Sequence, residues 1–426
     1  MGWNTYDSYG TAVNEAQVKA NARWLARHLK PFGWRFVVID MEWFVTNPTP
    51  SGNSKNSQYT MDEFGRYTPA PNRFPSAANG AGFKPLADYV HALGLKLGIH
   101  ILRGIPKQAV DKDLPIADSD YHASQAADRS DTCPWNPDNY GIAQNPAGQA
   151  YYSSVARQYA AWGVDFIKVD CIASHPYKGD EIDMISRAID QSQRSMVLSL
   201  SPGPAPQDKA KLDELRSHAQ MWRISEDVWD LWHSEKSYPQ GVGDQFSRAA
   251  AWAPLAVQGH WPDLDMLPIG PFAPSPGWGP PRLTRLTHDE QRTLMTLWSI
   301  ARSPLMIGGN LTELDAWTTS LLTNPEILAV DQHSSNGRPV LRAGNATEDA
   351  AMVWRAQASD GDGEYLAVFN RTETSQAIEY RWKDLGLEGD SYSLRDLWEH
   401  KNLGRTPTLK VQLPGHGAVL YRVRSK

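Results

Sequence analysis

Asp165-Phe166-Ile167-Lys168-Val169-Asp170 is the stretch that decides how this chain is read. Phe166, Ile167 and Val169 fit a strand sunk in a core, and Asp170 stands where that strand leaves it. Side chains alternate along a strand, so Lys168 is expected on the same side as Asp170. A cation there favours the ionised carboxylate. A second segment, Trp222-Arg223-Ile224-Ser225-Glu226-Asp227, has the same form: apolar residues, a cation, then acids. Two strand-end carboxylates facing one pocket are what a glycosidase needs, one to attack the sugar and one to protonate the leaving oxygen.

Outward from Asp170, short apolar runs alternate with amphipathic stretches. Phe36–Asp40 and Leu95–His100 read as strands before it; Met196–Leu200, Met221–Ser225 and Pro304–Gly308 read as strands after it. Helices are expected near Phe83–Leu93, Tyr151–Trp162 and Asp289–Ala301. Unbroken apolar strands alternating with helices mean a parallel sheet covered on both faces. The number of units points to a (β/α)8 TIM barrel over residues 1–332, whose active site would lie at the C-terminal ends of the strands. Asp40, His100, Asp170, Ser201, Arg223, Asp227 and Asp265 would all stand near that rim. After Gln332 the helical period fades, and short alternating strands take over at Ala351–Trp354, Tyr365–Phe369, Ala377–Tyr380 and Ala418–Tyr421. Residues 333–426 therefore read as a C-terminal antiparallel β-sandwich. The polar stretch Phe44–Asn79 reads as a long loop, and loops of that length are often functional.

Composition narrows the function. A net charge of −6 argues against nucleic acid and anionic membrane as partners. No apolar run reaches membrane-spanning length. The 17 Trp and 16 Tyr are the outliers, and such rings stack on the apolar faces of sugars, although a Trp-rich core would look the same. Cys133 and Cys171 are too few for a disulfide scaffold and lack zinc-ligand spacing. Met1-Gly2-Trp3-Asn4 already reads as the end of a strand, so a preceding segment, and with it an extracellular or periplasmic location, is expected.

The chain resembles the melibiase group, glycoside hydrolase family 27, which includes α-galactosidases and α-N-acetylgalactosaminidases. The resemblance covers most of the chain. It rests on Met1-Gly2-Trp3-Asn4, Val38-Ile39-Asp40, Arg73-Phe74-Pro75, Gly94–Ile99, Trp162-Gly163-Val164-Asp165, Lys168-Val169-Asp170, Trp222-Arg223 and Trp261–Leu267. It implies a barrel plus a C-terminal β domain, no cofactor or metal, and a glycoside or oligosaccharide substrate; the oligomeric state stays open. It implies that Asp170 is the nucleophile and that Asp227, four residues after Arg223, is the acid/base. Asp40 matches the acid that holds a sugar hydroxyl, and Asp265 an acid beside the pocket. Trp3, Lys168 and Arg223 fall in the matched motifs and join the candidate substrate-binding set. Cys133 and Cys171 could bridge beside the site, but the family's usual second cysteine lies one place further along.

Plainer readings stand beside these. An Asp that ends a strand often only caps the next helix. Glu226 and Asp230 compete with Asp227, and His100 could equally be a core histidine. The chain also departs from the family in the pocket. Relatives carry two consecutive acids after the second strand, the second reading the C6 hydroxyl; here the pair is Asp40-Met41. Many have Tyr where His100 stands, and galactosidases have Glu where Ser201 stands. Leu102–Pro106 is also unlike the galactosidase pattern. The expectation is an exo-acting retaining glycosidase, α-galactosidase-like. A small residue at Ser201 favours α-N-acetylgalactosamine, and the lost acid at Met41 favours β-L-arabinopyranose; an α-glucan substrate stays open. From another class, a catalytically silent carbohydrate-binding protein would share the same scaffold.

Overall fold

The computed structural model describes residues 1–49, 57–340 and 351–425, so the loop read over Phe44–Asn79 falls partly outside the described residues. The chain forms two compact units. The first holds Met1–Arg223, Gly270–Leu283 and Met306–Glu313; the second holds Ile224–Ile269, Thr284–Leu305 and Leu314–Lys426.

In the first unit, seven parallel strands run in the order Met221–Arg223, Val197–Leu200, Phe166–Asp170, Lys96–Leu102, Phe36–Ile39, Gly2–Asn4 and Met306–Ile307. Helices Glu15–His28, Lys84–Ala92, Pro146–Trp162, Gly179–Gln191 and Lys209–His218 alternate with them. This is the winding of a (β/α)8 barrel. A further short strand, Trp261–Asp263, belongs to the second unit. Register sets the site: His100 pairs with Lys168, Leu102 with Asp170, and Ile39 with Ile99. Asp40 therefore leaves the second strand level with His100, and paired residues point to the same face of a sheet.

Several motifs turn out to serve the frame. At Gly98, an added Cβ would come within 2.9 Å of Val38 Cγ2 and 3.0 Å of Phe166 Cβ, so only glycine lets its neighbours approach. Gly163 ends helix Pro146–Trp162 at φ +82°, the left-handed cap that glycine adopts without a Cβ penalty. Asp165 then ties down the strand's start: Oδ2 accepts from Leu97 N at 2.9 Å and meets His91 Nε2 at 2.8 Å, while Oδ1 accepts from Arg194 Nη2 at 2.7 Å. Arg73 is buried and gives its guanidinium to the carbonyls of Thr11, Val13, Glu42 and Val45, clamping the segments after the first two strands.

A small antiparallel sheet, Ile105–Pro106, Asn139–Ile142 and Ala127–Thr132, is inserted after the third barrel strand. The sequence reading did not foresee it.

In the second unit, the last helix ends at Gln332 and strands follow. A six-stranded antiparallel sheet runs Ser334–Pro339, Ala351–Ala358, Glu364–Asn370, Ala418–Arg424, Tyr392–Asp396 and Lys401–Thr406. Gln376–Arg381 pairs with Thr408–Leu413 as a second sheet. Val353, Leu366, Val368, Tyr421 and Val423 from the first sheet pack with Ile378, Tyr380, Leu409 and Leu413 from the second. Along Gln376–Arg381, Ile378 and Tyr380 are buried while Ala377, Glu379 and Arg381 are exposed, the alternation of a sheet with one wet face. The structure has the expected fold, a (β/α)8 barrel followed by a C-terminal antiparallel β domain.

Candidate active site

Asp170 ends the fourth strand, with its side chain 13% exposed beside a His100 that is 2% exposed. Oδ2 lies 3.1 Å from His100 Nε2, and Oδ1 accepts from the Cys171 N–H at 2.6 Å. Burial pushes the Asp170 carboxyl up, but the His100 hydrogen bond and charge, the Lys168 ammonium and the Cys171 N–H outweigh it and hold it below the usual range. A carboxylate that stays ionised and is not wholly shut off from solvent can act as a nucleophile. With Nε2 donating to Asp170, the buried Nδ1 of His100 finds no partner among the described residues.

Asp40 is buried one step away. Oδ2 accepts from Asn4 Nδ2 at 2.7 Å and Lys168 Nζ at 3.1 Å; Oδ1 accepts from the Met41 N–H at 2.9 Å. Desolvation opposes its charge, but Lys168, His100, Asn4 and the Met41 N–H outweigh it, so the carboxyl stays far below its ordinary value. Lys168 thus serves two carboxylates: its charge acts on Asp170, as the strand alternation led one to expect, and it donates to Asp40, which the sequence did not show. Asn4, which the sequence reading quoted only as part of a motif, belongs to this group. Its signal was its position at the end of the first strand.

Met41, Glu42, Phe44, Tyr67, His100, Leu102, Asn136, Asp138 and Asn139 line one cavity. Phe44 stacks on Tyr67 at 3.7 Å between ring centroids, and Tyr67 donates to Asn139 Oδ1 at 2.9 Å. Burial raises the Asp138 carboxyl despite a hydrogen bond from Tyr59. Cys133 and Cys171 form a disulfide, which ties the loop before Asn136 to the residue after Asp170. Closing its 38-residue separation removes unfolded-chain entropy equivalent to about 4 kcal/mol in the loop-closure treatment. Arg103 is buried against Cys171, Asp131 and Glu181, a cluster the sequence reading missed because its partners are distant in the chain.

Among the other candidates in this unit, Trp3 is fully buried, donates its indole N–H to Gly309 O at 2.9 Å and meets Tyr9 edge-on. Ser201 is buried; its N–H donates to Val169 O at 2.9 Å and its carbonyl accepts from Ile172 N at 3.1 Å. Arg223 is buried at the end of its strand, and its carbonyl accepts from Ala205 N at 3.2 Å.

In the second unit, Asp227 is half-buried on a loop pinned by Gln240 N, which donates to the Asp227 carbonyl at 2.9 Å. Asp230 is buried, and its Oδ2 accepts from Arg285 N at 3.0 Å, which is a structural task. Asp265 is also buried. Its Oδ2 accepts from Val228 N at 2.8 Å, one residue after Asp227, and its carbonyl takes the Trp298 indole at 2.8 Å. Trp229 is buried, while Trp232 stacks on His416 at 3.9 Å.

A barrel whose strand ends carry an ionised, partly reachable Asp and a second buried carboxylate, joined by one lysine, is the framework of a sugar-cleaving enzyme. Comparison with known proteins places it. The family described as Alpha galactosidase A matches residues 138–333, and the Alpha galactosidase C-terminal beta sandwich domain matches residues 348–423. A β-L-arabinopyranosidase of glycoside hydrolase family 27 from Geobacillus stearothermophilus is 45% identical, covering 100% of this chain and 95% of its own, with a TM-score of 0.93. A candidate α-N-acetylgalactosaminidase from Bacillus halodurans is 40% identical over 100% of this chain and 97% of its own, with a TM-score of 0.86. Alpha-galactosidase 3 of Arabidopsis thaliana is 28% identical over 99% of this chain and 80% of its own. The chain belongs to glycoside hydrolase family 27 and is a glycosidase acting on glycoside or oligosaccharide substrates.

Proposed function

We propose that this chain is an exo-acting retaining glycosidase that discriminates poorly between α-galactosides and β-L-arabinopyranosides, or prefers the latter. The observation that carries the catalytic part is the carboxylate of Asp170, kept ionised by His100, Lys168 and the Cys171 N–H while its side chain keeps some exposure. In the first step an Asp170 oxygen attacks the anomeric carbon, and the leaving oxygen takes the proton of Asp227. In the second, water gives Asp227 a proton and displaces Asp170, so the sugar leaves with its original configuration. The structural task of Asp230 favours Asp227 over it as the acid/base.

Met41 supports the sugar preference. It lines the cavity beside Asp40 where relatives would have an acid, and a thioether accepts hydrogen bonds only weakly. β-L-Arabinopyranose has the ring stereochemistry of α-galactose without its C6 hydroxymethyl, so it asks nothing of this wall. The arabinopyranosidase relative, solved in one case with arabinose, agrees with that chemistry. Buried Ser201 favours a second reading, α-N-acetylgalactosaminide, because a small residue leaves room for a 2-acetamido group. The Cys133–Cys171 disulfide fits an oxidising location, extracellular or periplasmic.

A panel of aryl glycosides tests both parts: α-galactoside, α-N-acetylgalactosaminide, β-L-arabinopyranoside and α-glucoside, with the first-formed anomer followed by NMR. Turnover of the arabinopyranoside with retention is expected. Inversion would remove the double displacement, and preference for the α-glucoside would remove the pocket reading.

A further inference from the structure

Arg103 follows the third strand, and its side chain is 1% exposed although it carries a full charge. Its backbone N–H donates to the Asp170 carbonyl at 3.2 Å, and its Nε donates to the Cys171 carbonyl at 2.7 Å. One residue thus holds two consecutive carbonyls at the end of the fourth strand. The rest of the guanidinium is fixed in turn. Nη1 and Nη2 reach the two oxygens of Asp131 at 2.8 and 2.9 Å, and Nη1 also reaches Glu181 Oε1 at 2.8 Å. Lys178 pairs with Asp131 at 2.7 Å, while Tyr152 donates to Glu181 and accepts from the Gly104 N–H at 2.9 Å.

Cys171 is what this scaffold constrains. It has φ +62°, a left-handed conformation that a residue with a side chain adopts only when its surroundings impose it. That conformation accompanies the 2.6 Å bond from the Cys171 N–H to Asp170 Oδ1. A buried cluster of one guanidinium and two carboxylates is a poor way to gain stability, since apolar side chains of equal volume do as well or better. A planar fork is a good way to hold several acceptors at fixed angles.

We propose that Arg103 is a positioning residue for the nucleophile: it locks the Asp170–Cys171 turn so that the Cys171 N–H stays on the attacking carboxylate. The proposal rests on the reading of Asp170 as nucleophile. His100 from the third strand, Lys168 from the same strand and, through Lys168, Asp40 from the second strand also face Asp170. Those contacts remain when Arg103 is altered, so the effect is partial.

The test uses Arg103→Lys and Arg103→Gln in the whole chain. Competent sites are counted with a 2-fluoro glycoside inactivator, and rates are expressed per competent site. We expect kcat/KM to fall roughly tenfold to hundredfold, as misplacement of a reacting group does, with more lost in Gln than in Lys. Inhibition by the free sugar should change less than about threefold, because binding is left intact. The acid limb of kcat/KM should move to higher pH as the Cys171 N–H bond is lost. Wild-type rates and an unmoved acid limb in both variants would overturn the proposal, as would a loss wholly explained by fewer competent sites. If neither variant folds, Glu181→Gln decides in the same assays: a shift of the acid limb supports the role, and a wild-type profile removes it. Peptide mapping of the inactivated wild type separates the two readings. Label on Asp170 with unchanged Arg103 variants sinks the positioning role alone, whereas label on another residue sinks the nucleophile reading with it.

Discussion

Asp40 and Met41 are neighbours in the chain, yet they belong to walls built on different physics. On the Asp40 side, Asn4, His100, Lys168 and Asp170 form a closed set in which each carboxylate meets a cation or N–H donor within 3.1 Å. On the Met41 side, Met41, Phe44 and Leu102 give the cavity apolar surface, and Glu42, Asp138 and Asn139 stand on its polar lining. A charged group in a partly dry site is costly unless every partner is placed, so the first wall tolerates little change. An apolar wall asks only for volume, and such surfaces accept substitution at small cost. Chemistry is therefore expected to be fixed on one wall and specificity to drift on the other.

The sharpest way to break this contrast is Asp170→Asn. The amide is nearly isosteric, so folding and sugar binding should persist, while kcat falls by about four orders of magnitude or more. Thermal melting checks the fold, and azide supplied in the buffer should restore part of the rate by taking the place of the missing nucleophile. Wild-type-like turnover in the variant would end the assignment.

Lys168→Met comes next, and it tests whether the charged wall acts as a unit. Both Asp40 and Asp170 have carboxyls held below their ordinary value, with Lys168 among the causes in each. The sign follows. Their stabilisation is complete above the unfolded carboxylate value of about 3.9 and is lost as pH falls through the depressed folded values. Without the lysine both folded values rise, so acid unfolding and the acid limb of kcat/KM should begin at higher pH. Near neutral pH, breaking one partner of a buried pair should cost about 3–5 kcal/mol of stability, and kcat/KM should fall roughly a hundredfold. A melting curve and rate profile that match wild type below pH 5 would show that the two carboxylates do not depend on this cation.

How much of this was legible follows from which forces are local. The strand Phe166–Asp170 was readable because it is buried on both faces and so lacks polar interruption except at Lys168 and Asp170. The change of regime after Gln332 was readable because one-faced strands alternate, as Gln376–Arg381 does. The small sheet after the third strand was not. Ala127–Thr132 reads Ala-Asp-Arg-Ser-Asp-Thr, with no apolar face to mark a strand, and pairing rather than burial holds it. Arg103 was hidden for another reason: Asp131 and Glu181 lie 28 and 78 residues away, and no local pattern announces such an ion cluster. The Cys133–Cys171 bridge lay between these cases, since two cysteines offer one pairing but only the fold brings them together. Asp165 and Arg73 show the converse error to guard against, because motif residues beside an active site can be frame.

Met41→Asp carries the smallest expected effect and probes the apolar part of that lining directly. The substitution places an acceptor next to Asp40, where the family resemblance implies an acid that reads the C6 hydroxyl. A site built to hydrogen-bond a hydroxyl rejects analogues lacking it strongly, whereas an apolar pocket rejects an added hydroxyl only weakly. Wild type should therefore separate β-L-arabinopyranoside from α-galactoside by less than about a hundredfold in kcat/KM, in either direction. Met41→Asp should move that ratio toward the galactoside by roughly tenfold, mostly by improving the galactoside, since its C6 hydroxyl gains a charged partner. The new carboxylate also sits close to Asp40 and Glu42, and like charges raise one another, so the gain should shrink as pH falls toward the carboxylate range. Ratios of kcat/KM on the two aryl glycosides, measured for both proteins across pH 4–7, read all of this. If wild type already favours the galactoside by more than about a hundredfold, Met41 is not what sets C6 recognition. Glu42, buried on the same wall, then becomes the residue to change.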